Sequence, residues 1–274
     1  MEVTFYGTRG SIPVPEKEMI QVGGNTSCVL VKFDGGQITI LDSGTGIRKL
    51  GNEIISQGIQ QFYNIYIALS HTHLDHIQGF PFFKPAYDAR RKFTISICGK
   101  GREKGDLEKI FSSQMGRDYF PVSINKMGAN LKFWEPDDIS YTASSGVKVE
   151  ASLHSHSIET YGYRFEENGK VLVYVTDIEH INGIDPNVVK LAEKANLLIH
   201  DAQYTPEELK EKKGWGHSSW EQAVEVAERA GAKRLALFHH DPEHTDKFLF
   251  RMENECRKRF DGAFLAIEGQ TIEF

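Results

Sequence analysis

Residues 71–76 read His-Thr-His-Leu-Asp-His and place four side chains that can bind metal ions within six positions. They follow the apolar run Ile65–Ser70, which is typical of a buried β-strand. In an extended arrangement, His71, His73 and Asp75 face one side, and His76 comes round with the turn. Imidazole and carboxylate ligands suit zinc, manganese or iron. The motif therefore predicts a metal site where a strand ends in a loop.

The composition is that of an ordinary soluble globular protein. The 274 residues are 40% hydrophobic and 26% charged, which is enough for a well-buried core. No apolar stretch approaches the roughly 18 residues of a membrane span, and no secretion signal precedes the first predicted strand. Cys28, Cys98 and Cys256 are widely spaced and form no CxxC pair. We therefore expect a reducing, cytoplasmic location and no thiolate-rich zinc cluster.

The net charge of −6 argues against a large nucleic-acid surface. One segment is locally basic: Lys84, Arg90, Arg91, Lys92, Lys100, Arg102 and Lys104 stand against only Asp88 and Glu103. The favoured interpretation is a solvated face. The functional alternative is a rim that steers an anionic substrate towards the metal site.

The chain alternates between strand-rich and helical stretches. Strands are predicted at Thr4–Tyr6, Ser27–Phe33, Gln37–Leu41, Phe93–Cys98, Val147–Leu153, Thr160–Phe165, Lys170–Val175, Leu197–His200, Arg234–Phe238 and Phe264–Ile267, with a hairpin turn at Gly35-Gly36. Helices are predicted from Gly44 to about Gly58 and at Asn187–Ala195, Ser219–Ala230 and Asp246–Arg259. Both halves have strands first and then helix and strand. Two mixed sheets packed face to face, with helices outside, would satisfy this order.

Further histidines and aspartates follow other predicted strands in the same way. None of the 11 histidines precedes residue 71. The additional groups are His154/His156, Asp177/His180, His200-Asp201 and His239-His240-Asp241. Open sheets place ligands at the ends of their strands, so these groups predict one shared site.

Taken together, these residues resemble the ligand set of the metallo-β-lactamase fold hydrolases. The similarity rests on the first motif combined with His156, Asp177 and His239, and it extends from Gly7-Thr8-Arg9-Gly10-Ser11 to the last strand. The resemblance implies an α/β (α+β) fold, a four-layer αββα sandwich of two mixed sheets. It also implies a single hydrolase domain over residues 1–274.

The resemblance implies two divalent metal ions, zinc or manganese, with iron as a further option. By the family pattern, His71, His73 and His156 hold one ion, Asp75, His76 and His239 hold the other, and Asp177 bridges both. Asp42 either orients this site from outside or only caps or turns the chain. His156 is preferred to His154 because family ligands stand six residues before the glycine of a Gly-Tyr-Arg segment, here Gly162. His239 is preferred to His240 because it directly ends its strand.

Two later segments, Leu198-Ile199-His200-Asp201-Ala202 and Gly216-His217-Ser218-Ser219, resemble the phosphodiesterase branch of that family. A lactamase of the zinc type would usually have a cysteine where Asp177 stands. The resemblance makes Asp75, Asp201 and His217 catalytic, with Asp201 orienting His217 over the substrate phosphate. Such an imidazole stabilises charge or protonates a leaving oxygen, an effect of about 10²–10⁴-fold. The structural alternatives are a capping-region role for His217 and a salt bridge for Asp201.

Within the branch, spacing favours a small substrate. Members that process tRNA 3′ ends usually carry a long basic arm between the third ligand and the bridging aspartate. Here Asp177 follows His156 by 21 positions, which two strands and the turn Glu166–Gly169 fill. The main expectation is therefore hydrolysis of small cyclic phosphodiesters, of the cyclic nucleotide or phosphoribosyl cyclic phosphate type. Asn25 and His240 belong to the same similarity and are candidates for orienting the site or contacting substrate.

Two alternatives to this function stay open. One is a metal-dependent ribonuclease acting on RNA 3′ ends, and the other is a metal-binding nucleotide sensor with little turnover. As partners we expect a small phosphodiester, no membrane, no stable nucleic-acid complex and, by analogy, a second copy in a homodimer. The aromatic groups Tyr119-Phe120, Phe82-Phe83 and Trp215 either line the pocket or belong to the core.

Overall fold

The computed structural model describes residues 1–57, 62–98, 105–138, 140–143 and 145–274. Within these ranges the strands are β1 (Glu2–Gly7), β2 (Cys28–Lys32), β3 (Ile38–Leu41), β4 (Asn64–Ala68), β5 (Lys92–Ser96), β6 (Asn130–Trp134), β7 (Ser140–Thr142), β8 (Lys148–His154), β9 (Thr160–Glu167), β10 (Lys170–Val175), β11 (Leu197–Asp201), β12 (Leu235–Phe238), β13 (Ala263–Leu265) and β14 (Thr271–Glu273). They form two mixed seven-stranded sheets. The predicted pair of mixed sheets is confirmed.

The order of strands decides which loops share an edge. The first sheet runs β14-β1-β2-β3-β4-β5-β6 and the second runs β13-β12-β11-β10-β9-β8-β7. In the first sheet β3 to β6 are parallel, and in the second β10 to β13 are parallel. Parallel neighbours send their carboxyl ends to the same edge, so the loops that follow them meet there.

Seven α-helices are described, and most of them cover the outer faces of the sheets. They are α1 (Ile47–Ser56), α2 (Leu74–Ile77), α3 (Asp106–Gln114), α4 (Pro186–Leu191), α5 (Pro206–Glu211), α6 (Trp220–Ala230) and α7 (Asp246–Arg259), with 3₁₀ turns at Lys17–Met19, Phe80–Phe82, Lys84–Tyr87 and Ile124–Lys126. Side-chain caps start several of them, as at Thr205 and Ser219, where the reciprocal bonds of a capping box satisfy main-chain N–H groups. None of the described helices has the length and apolarity needed to cross a bilayer.

The core lies between the two sheets. Phe5 of β1 packs against Phe238 of β12 with ring centroids 6.2 Å apart, and Phe33 packs against Phe165 of β9 at 5.9 Å. A second apolar layer lies between the outer face of the second sheet and helices α4, α6 and α7. These layers give the predicted αββα sandwich. That residues 1–274 form a single domain stays a prediction, which limited proteolysis can test.

The predicted elements agree with the structure except where an element is short. Helix α7 has the predicted bounds, and α1 begins at Ile47, three residues after Gly44. Gly58, where the first helix was expected to end, lies outside the described residues. Strands β6, β7 and β14 and helices α2, α3 and α5 have no counterpart in the prediction. Most of these are only three to six residues long, too short for a periodic pattern to identify them.

The basic segment is largely structural where it is described. The Arg91 guanidinium is buried and donates to the main-chain oxygen of Phe62 at 2.6 Å. Arg90 donates to both carboxylate oxygens of Asp88, while Lys84 is exposed. Lys100, Arg102, Glu103 and Lys104 lie outside the described residues. The two arginines therefore serve local pairing and packing rather than a rim that steers substrate.

Candidate metal centre

The predicted ligand residues meet at one edge of the sandwich. The chain leaves β4 shortly before His71, β8 before His156, β10 before Asp177 and β12 before His239. Because β8, β10 and β12 point the same way, their ends lie together in the second sheet. Tyr161 N donates to the main-chain oxygen of Ser70 at 3.0 Å and ties the first sheet's loop to that edge.

His71, His73, His156 and Asp177 form one compact group. One nitrogen or oxygen atom from each lies within 4.8 Å of the others. Nδ1 of His73 lies 2.8 Å from Nε2 of His71 and 3.2 Å from Nε2 of His156. Both of those Nε2 atoms lie 3.8 Å from Oδ1 of Asp177. Three nitrogens and one oxygen thus converge on one point, a donor set that suits a divalent cation.

Asp75, His76, Asp177 and His239 form a second group beside the first. Nε2 of His76 lies 3.2 Å from Oδ2 of Asp75 and 3.2 Å from Oδ2 of Asp177. Nε2 of His239 lies 3.2 Å and 3.3 Å from the same two oxygens. Asp177 therefore presents Oδ1 to the first group and Oδ2 to the second, the position that the resemblance gives to a bridging ligand.

The imidazoles are held so that a lone pair faces the cluster. Their outer nitrogens have acceptors: Nδ1 of His71 donates to Ser70 Oγ at 3.0 Å, Nδ1 of His76 to Asp42 at 2.8 Å, Nδ1 of His156 to the Gly216 carbonyl at 2.8 Å, and Nδ1 of His239 to Oε1 of Gln203 at 3.0 Å. These bonds assign the proton to the outer nitrogen of each ring. The inner nitrogen is then the atom that can bind a metal ion. For His76, burial is outweighed by the carboxylates of Asp75, Asp177 and Asp42, which raise the pKa, so a metal ion at this ring would replace a proton on Nε2.

Charge and burial agree with a metal site. Burial, reinforced by neighbouring imidazoles, lowers the pKa of His71 and of His73, so these rings are neutral. The surrounding histidines outweigh burial and keep the pKa of Asp75 and of Asp177 below the usual value. Nε2 of His76 is buried and has no hydrogen-bond partner among the described residues. A buried donor atom without a partner, facing two carboxylates, fits a divalent cation.

The backbone turns sharply at the residues that build the cluster. Asp42, Asp177 and His239 have φ values of 57°, 56° and 60°, and Ser11, whose N–H donates to Asp75 at 2.8 Å, has 62°. Left-handed conformations are uncommon for residues other than glycine and concentrate at functional sites. Each of the first three follows a strand, so the turn aims a side chain across the sheet edge instead of continuing along it.

Asp42 has both of the roles that the sequence left open. It turns the chain after β3, and its carboxylate accepts bonds from Ser70 N at 2.7 Å, Ser70 Oγ at 2.9 Å, His76 Nδ1 at 2.8 Å and Tyr174 Oη at 2.7 Å. Through Ser70 it also fixes His71. A single buried carboxylate thus orients one imidazole from each group.

Asp201 and His217 form a pair beside the second group. Nδ1 of His217 donates to Oδ2 of Asp201 at 2.9 Å and lies 3.9 Å from Oδ1 of Asp177. Main-chain N–H groups of Asp177, Gln203 and Ser218 also donate to the Asp201 carboxylate. Burial disfavours a charged ring, but Asp201 outweighs it and raises the pKa of His217 to about 9. The pair is therefore a buried salt bridge that presents an imidazolium next to the cluster, and its catalytic role stays a prediction.

Four further histidines and Asn25 lie outside the cluster. Nε2 of His154 donates to the Thr176 carbonyl at 2.9 Å, in agreement with the preference for His156. The side chain of His240 donates to the Ala266 carbonyl at 3.0 Å, and that of Asn25 donates to Glu268 at 2.9 Å. His180 stacks on His200. The structure therefore does not bring His240 or the Asn25 side chain to the site. They pack where β12 and the loop before β2 meet the end of the chain.

The aromatic residues divide between core and surface. Phe83 is buried against Phe93, so it belongs to the core. Phe82 and Tyr119 are exposed, and Phe82 contacts Phe120 with ring centroids 5.4 Å apart. Trp215 is 65% exposed and stands two residues before His217.

Sequence reasoning missed the residues that hold the ligands in place. Gln203 accepts from His239, and Glu179 accepts from the N–H groups of Gly214 and Gly216. Arg9 is buried and donates to the carbonyls of Gly23, Asp241 and His244, which fixes the loop that carries Ser11. The Gly-Thr-Arg-Gly-Ser segment around Arg9 was a signal for this role. Gln203 and Glu179 lie in loops and belong to no recognisable sequence motif, so the sequence alone did not point to their roles.

Two mixed sheets and a paired His/Asp cluster at their edge define a metal-dependent hydrolase of the metallo-β-lactamase fold. The sequence matches the beta-lactamase superfamily domain over residues 52–240, and the chain belongs to that superfamily. The family and fold expected from the motifs are thereby confirmed.

Similar proteins align over the full length of the chain. Ribonuclease Z of Haloarcula marismortui is 24% identical, and the alignment covers all of this chain and 97% of that protein. Ribonuclease BN of Proteus mirabilis is also 24% identical, over the whole of both proteins. The metallo-beta-lactamase fold protein YhfI from Bacillus subtilis superposes with a TM-score of 0.74 at 20% identity, covering 100% of this chain and 99% of its own.

Proposed function

We propose that this protein is a metal-dependent phosphodiesterase whose substrate is RNA, cleaved near its 3′ end. The proposed phosphodiesterase activity rests on the Asp201–His217 pair. This pair lies beside the two metal groups, with Nδ1 of His217 3.9 Å from Oδ1 of Asp177. RNA as substrate is supported by the full-length similarity to proteins named ribonuclease Z and ribonuclease BN. These relatives favour RNA over the small cyclic phosphodiesters expected from the sequence.

The residues divide the chemistry between them. His71, His73, His156 and Asp177 would hold one divalent ion, and Asp75, His76, Asp177 and His239 a second. Two such ions supply an activated water and stabilise negative charge on a phosphate. Asp201 holds His217 by Nδ1, so Nε2 is the atom that can transfer a proton. As the P–O bond to water forms and the ester P–O bond breaks, this proton goes to the leaving oxygen.

A second candidate substrate is a small phosphodiester, and one observation favours it. Strands β9 and β10 are joined by the two-residue turn Asn168-Gly169, with φ values of 52° and 75°. No arm of the kind that binds tRNA can therefore stand between His156 and Asp177. The alignment with the Haloarcula protein spans 324 positions against 274 residues here, so at least 50 positions have no counterpart in this chain.

One experiment separates these functions. We would measure turnover of a 3′-extended RNA, a panel of cyclic nucleotides and bis(p-nitrophenyl) phosphate by protein loaded with zinc or manganese. The variant His217→Gln should lower kcat by about 10²–10⁴-fold with metal content unchanged. His244→Gln is the matched control, because His244 lies apart from the cluster and bonds Glu208 at 2.8 Å.

The outcomes identify the substrate class. Cleavage of RNA with a steep loss of affinity as salt rises supports the ribonuclease. Cleavage of cyclic nucleotides but not RNA supports the second candidate. A metal-loaded wild type inert on every phosphodiester contradicts both and leaves the nucleotide sensor. The homodimer and the cytoplasmic location stay predictions, and light scattering after size-exclusion chromatography tests the first.

A further inference from the structure

One loop joins the surface of the protein to the metal cluster. The tryptophan loop, defined as residues 212–217, connects α5 to the start of α6. Gly214 and Gly216 flank Trp215 with φ values of 88° and 87°, and Trp215 N donates to the Lys212 carbonyl at 3.1 Å. The Glu179 carboxylate accepts from Gly214 N at 2.7 Å and from Gly216 N at 3.0 Å. One side chain therefore sets the shape of the whole loop.

This loop also contacts a ligand. The Gly216 carbonyl accepts from Nδ1 of His156 at 2.8 Å, so the ring presents Nε2 to the cluster. A Cβ at position 216 would lie 2.3 Å from that same Nδ1. Glu179 thus positions His156 through the backbone of Gly216, without touching the cluster itself.

Two neighbouring side chains connect the indole of Trp215 to the His217 imidazole. Nζ of Lys212 lies 5.9 Å from the centre of the Trp215 ring and 4.6 Å from that of Tyr204. The Tyr204 ring in turn lies 5.8 Å from His217. The ammonium of Lys212, which also pairs with Asp241 at 2.9 Å, and the buried ring of Tyr204 thus connect the exposed indole to the His217 imidazole. This combination suits a nucleotide, whose base stacks and whose phosphate is anionic.

The other two tryptophans are packed in a different way. Trp134 meets Tyr141 at 5.0 Å, and Trp220 packs on the apolar layer under α6. Trp215 is 65% exposed, although its loop is fixed by two hydrogen bonds from Glu179. A hydrogen-bonded main-chain loop that presents a large aromatic ring to solvent leaves the ring face open to a ligand and lowers the entropy that ordering the loop would cost on binding.

We propose that Trp215 stacks on the nucleobase next to the scissile phosphate and that Glu179 is the positioning residue that holds Trp215 and His156 together. The inference rests on the proposed function in one respect, that the substrate contains a nucleotide. It applies equally to RNA and to cyclic nucleotides.

Kinetics test the stacking role. Trp215→Ala should raise KM for a 3′-extended RNA about tenfold or more with kcat little changed, because stacking on an aromatic ring contributes about 1–3 kcal/mol per base. Trp215→Phe should restore most of the affinity. Turnover of methyl p-nitrophenyl phosphate, which has no nucleobase, should stay within twofold. An equal effect of Trp215→Ala on both substrates overturns the proposal.

Tyr63→Ala is a matched control for the aromatic change. Tyr63 is 43% exposed and has the ammonium of Lys92 5.5 Å from its ring, yet it precedes β4, at the end of that strand opposite to His71. Its replacement should leave KM for RNA unchanged.

A binding measurement that needs no turnover distinguishes the stacking role of Trp215 from the proposed phosphodiesterase function. Adenosine and uridine monophosphates should quench the tryptophan fluorescence of metal-free protein, and Trp215→Phe should abolish the quenching. If wild type cleaves no phosphodiester but is quenched through Trp215, the proposed function fails and the stacking role stands. Quenching that survives in Trp215→Phe, or none in wild type, overturns the stacking role.

The role of Glu179 is tested by measuring both KM for RNA and zinc content in the same variants. Glu179→Ala should raise KM for RNA as Trp215→Ala does and should also lower zinc content through His156, which Trp215→Ala should not. Glu179→Gln keeps one acceptor oxygen and should fall between wild type and Glu179→Ala in both. A Glu179→Ala variant that is less stable but has wild-type KM and zinc content assigns Glu179 a purely structural role.

Discussion

The carboxylate of Asp42 accepts a hydrogen bond from Nδ1 of His76 at 2.8 Å, and both side chains are fully buried. The same Oδ2 accepts from Tyr174 Oη and from Ser70 Oγ, which in turn accepts from His71. Asp42 thus decides which nitrogen of His76 carries the proton. A carboxylate in this place keeps the lone pair of Nε2 directed at the cluster.

Asp42→Asn should lower metal affinity about 10–100-fold. Asparagine tolerates the left-handed backbone found at position 42, where φ is 57°. Its amide NH₂ cannot accept from His76, so the ring would shift its proton to Nε2 and lose its lone pair towards the cluster. Zinc content measured by mass spectrometry after dialysis against graded chelator checks this.

Asp34→Asn serves as the control for that change. Asp34 is a surface residue that pairs with the N-terminus and with Lys170, so zinc retention should match wild type. Equal retention in Asp42→Asn and Asp34→Asn would show that Asp42 does not set the state of His76.

Gly216→Ala and Gly214→Ala form a second matched pair. Both glycines have φ near 88°, where an L-residue costs about 1–2 kcal/mol, so each substitution should lower thermal stability by at least that amount. Only at position 216 does the added Cβ meet a ring, 2.3 Å from Nδ1 of His156, whereas nothing lies within 4 Å at position 214. Phosphodiesterase activity and zinc content should therefore fall only in Gly216→Ala. Similar losses in both variants would contradict the contact.

His180 should make the protein less stable in mild acid. Burial, then the neighbouring rings of His200 and His154, and also Arg229, lower the pKa of His180 to about 3, against the opposing pull of Asp201. The unfolded chain has a histidine pKa near 6.5 and binds this proton first, so acid favours unfolding. The contribution of His180 to stability is intact above pH 7 and decreases by about 2 kcal/mol on going to pH 5.

Urea unfolding of His180→Asn between pH 7.5 and 5 measures this contribution. In His180→Asn the free energy of unfolding should decrease over this pH range by about 2 kcal/mol less than in wild type. The control is His244→Gln, which removes a ring that pairs with Glu208, and its decrease should be closer to that of wild type. Parallel pH profiles for wild type and His180→Asn would refute the assignment.

Chelation should lower the melting temperature by several degrees. Nε2 of His71 lies 2.8 Å from Nδ1 of His73 and carries a lone pair in the tautomer described above, so the two rings offer ligand atoms to a cation that would stabilise the folded state. An ion at a hundred times its Kd adds about 2.7 kcal/mol to folding stability. Calorimetry with EDTA, and with zinc-saturated EDTA as the control, measures the shift. An unchanged melting temperature would show that these groups hold no metal.

The metal groups could be predicted because their residue types are rare and stand at strand ends. The motif His71–His76 is recognisable by itself, whereas the choice of His156 and Asp177 also needs the family pattern, and the strand order brings all of them together. Glu179 and Gln203 could not be predicted, because their roles depend on which N–H group the fold delivers to a common carboxylate or amide.

A site residue predicted only from the family resemblance is less reliable when its own position gives no chemical signal. The resemblance places Asn25 and His240 near the substrate, but the structure pairs Asn25 with Glu268 and turns the His240 ring to the Ala266 carbonyl. The adjacent His239 takes the site because its left-handed backbone aims it across the edge. A one-residue difference in side-chain direction lies beyond what spacing alone can decide.

Nε2 of His239 lies 3.2 Å from Oδ2 of Asp75, and this contact joins positions 164 residues apart. During synthesis the 71–76 motif leaves the ribosome long before the strand that ends at His239 exists, so a nascent chain offers only a local, incomplete chelate. Any ion captured at that stage is selected by the raw affinity of imidazole and carboxylate, which favours copper over zinc or manganese. Which metal the folded protein contains would then depend on how soon the two sheets pack together after synthesis. If the wrong ion binds the ribosome-bound chain first, the enzyme would fold around that ion.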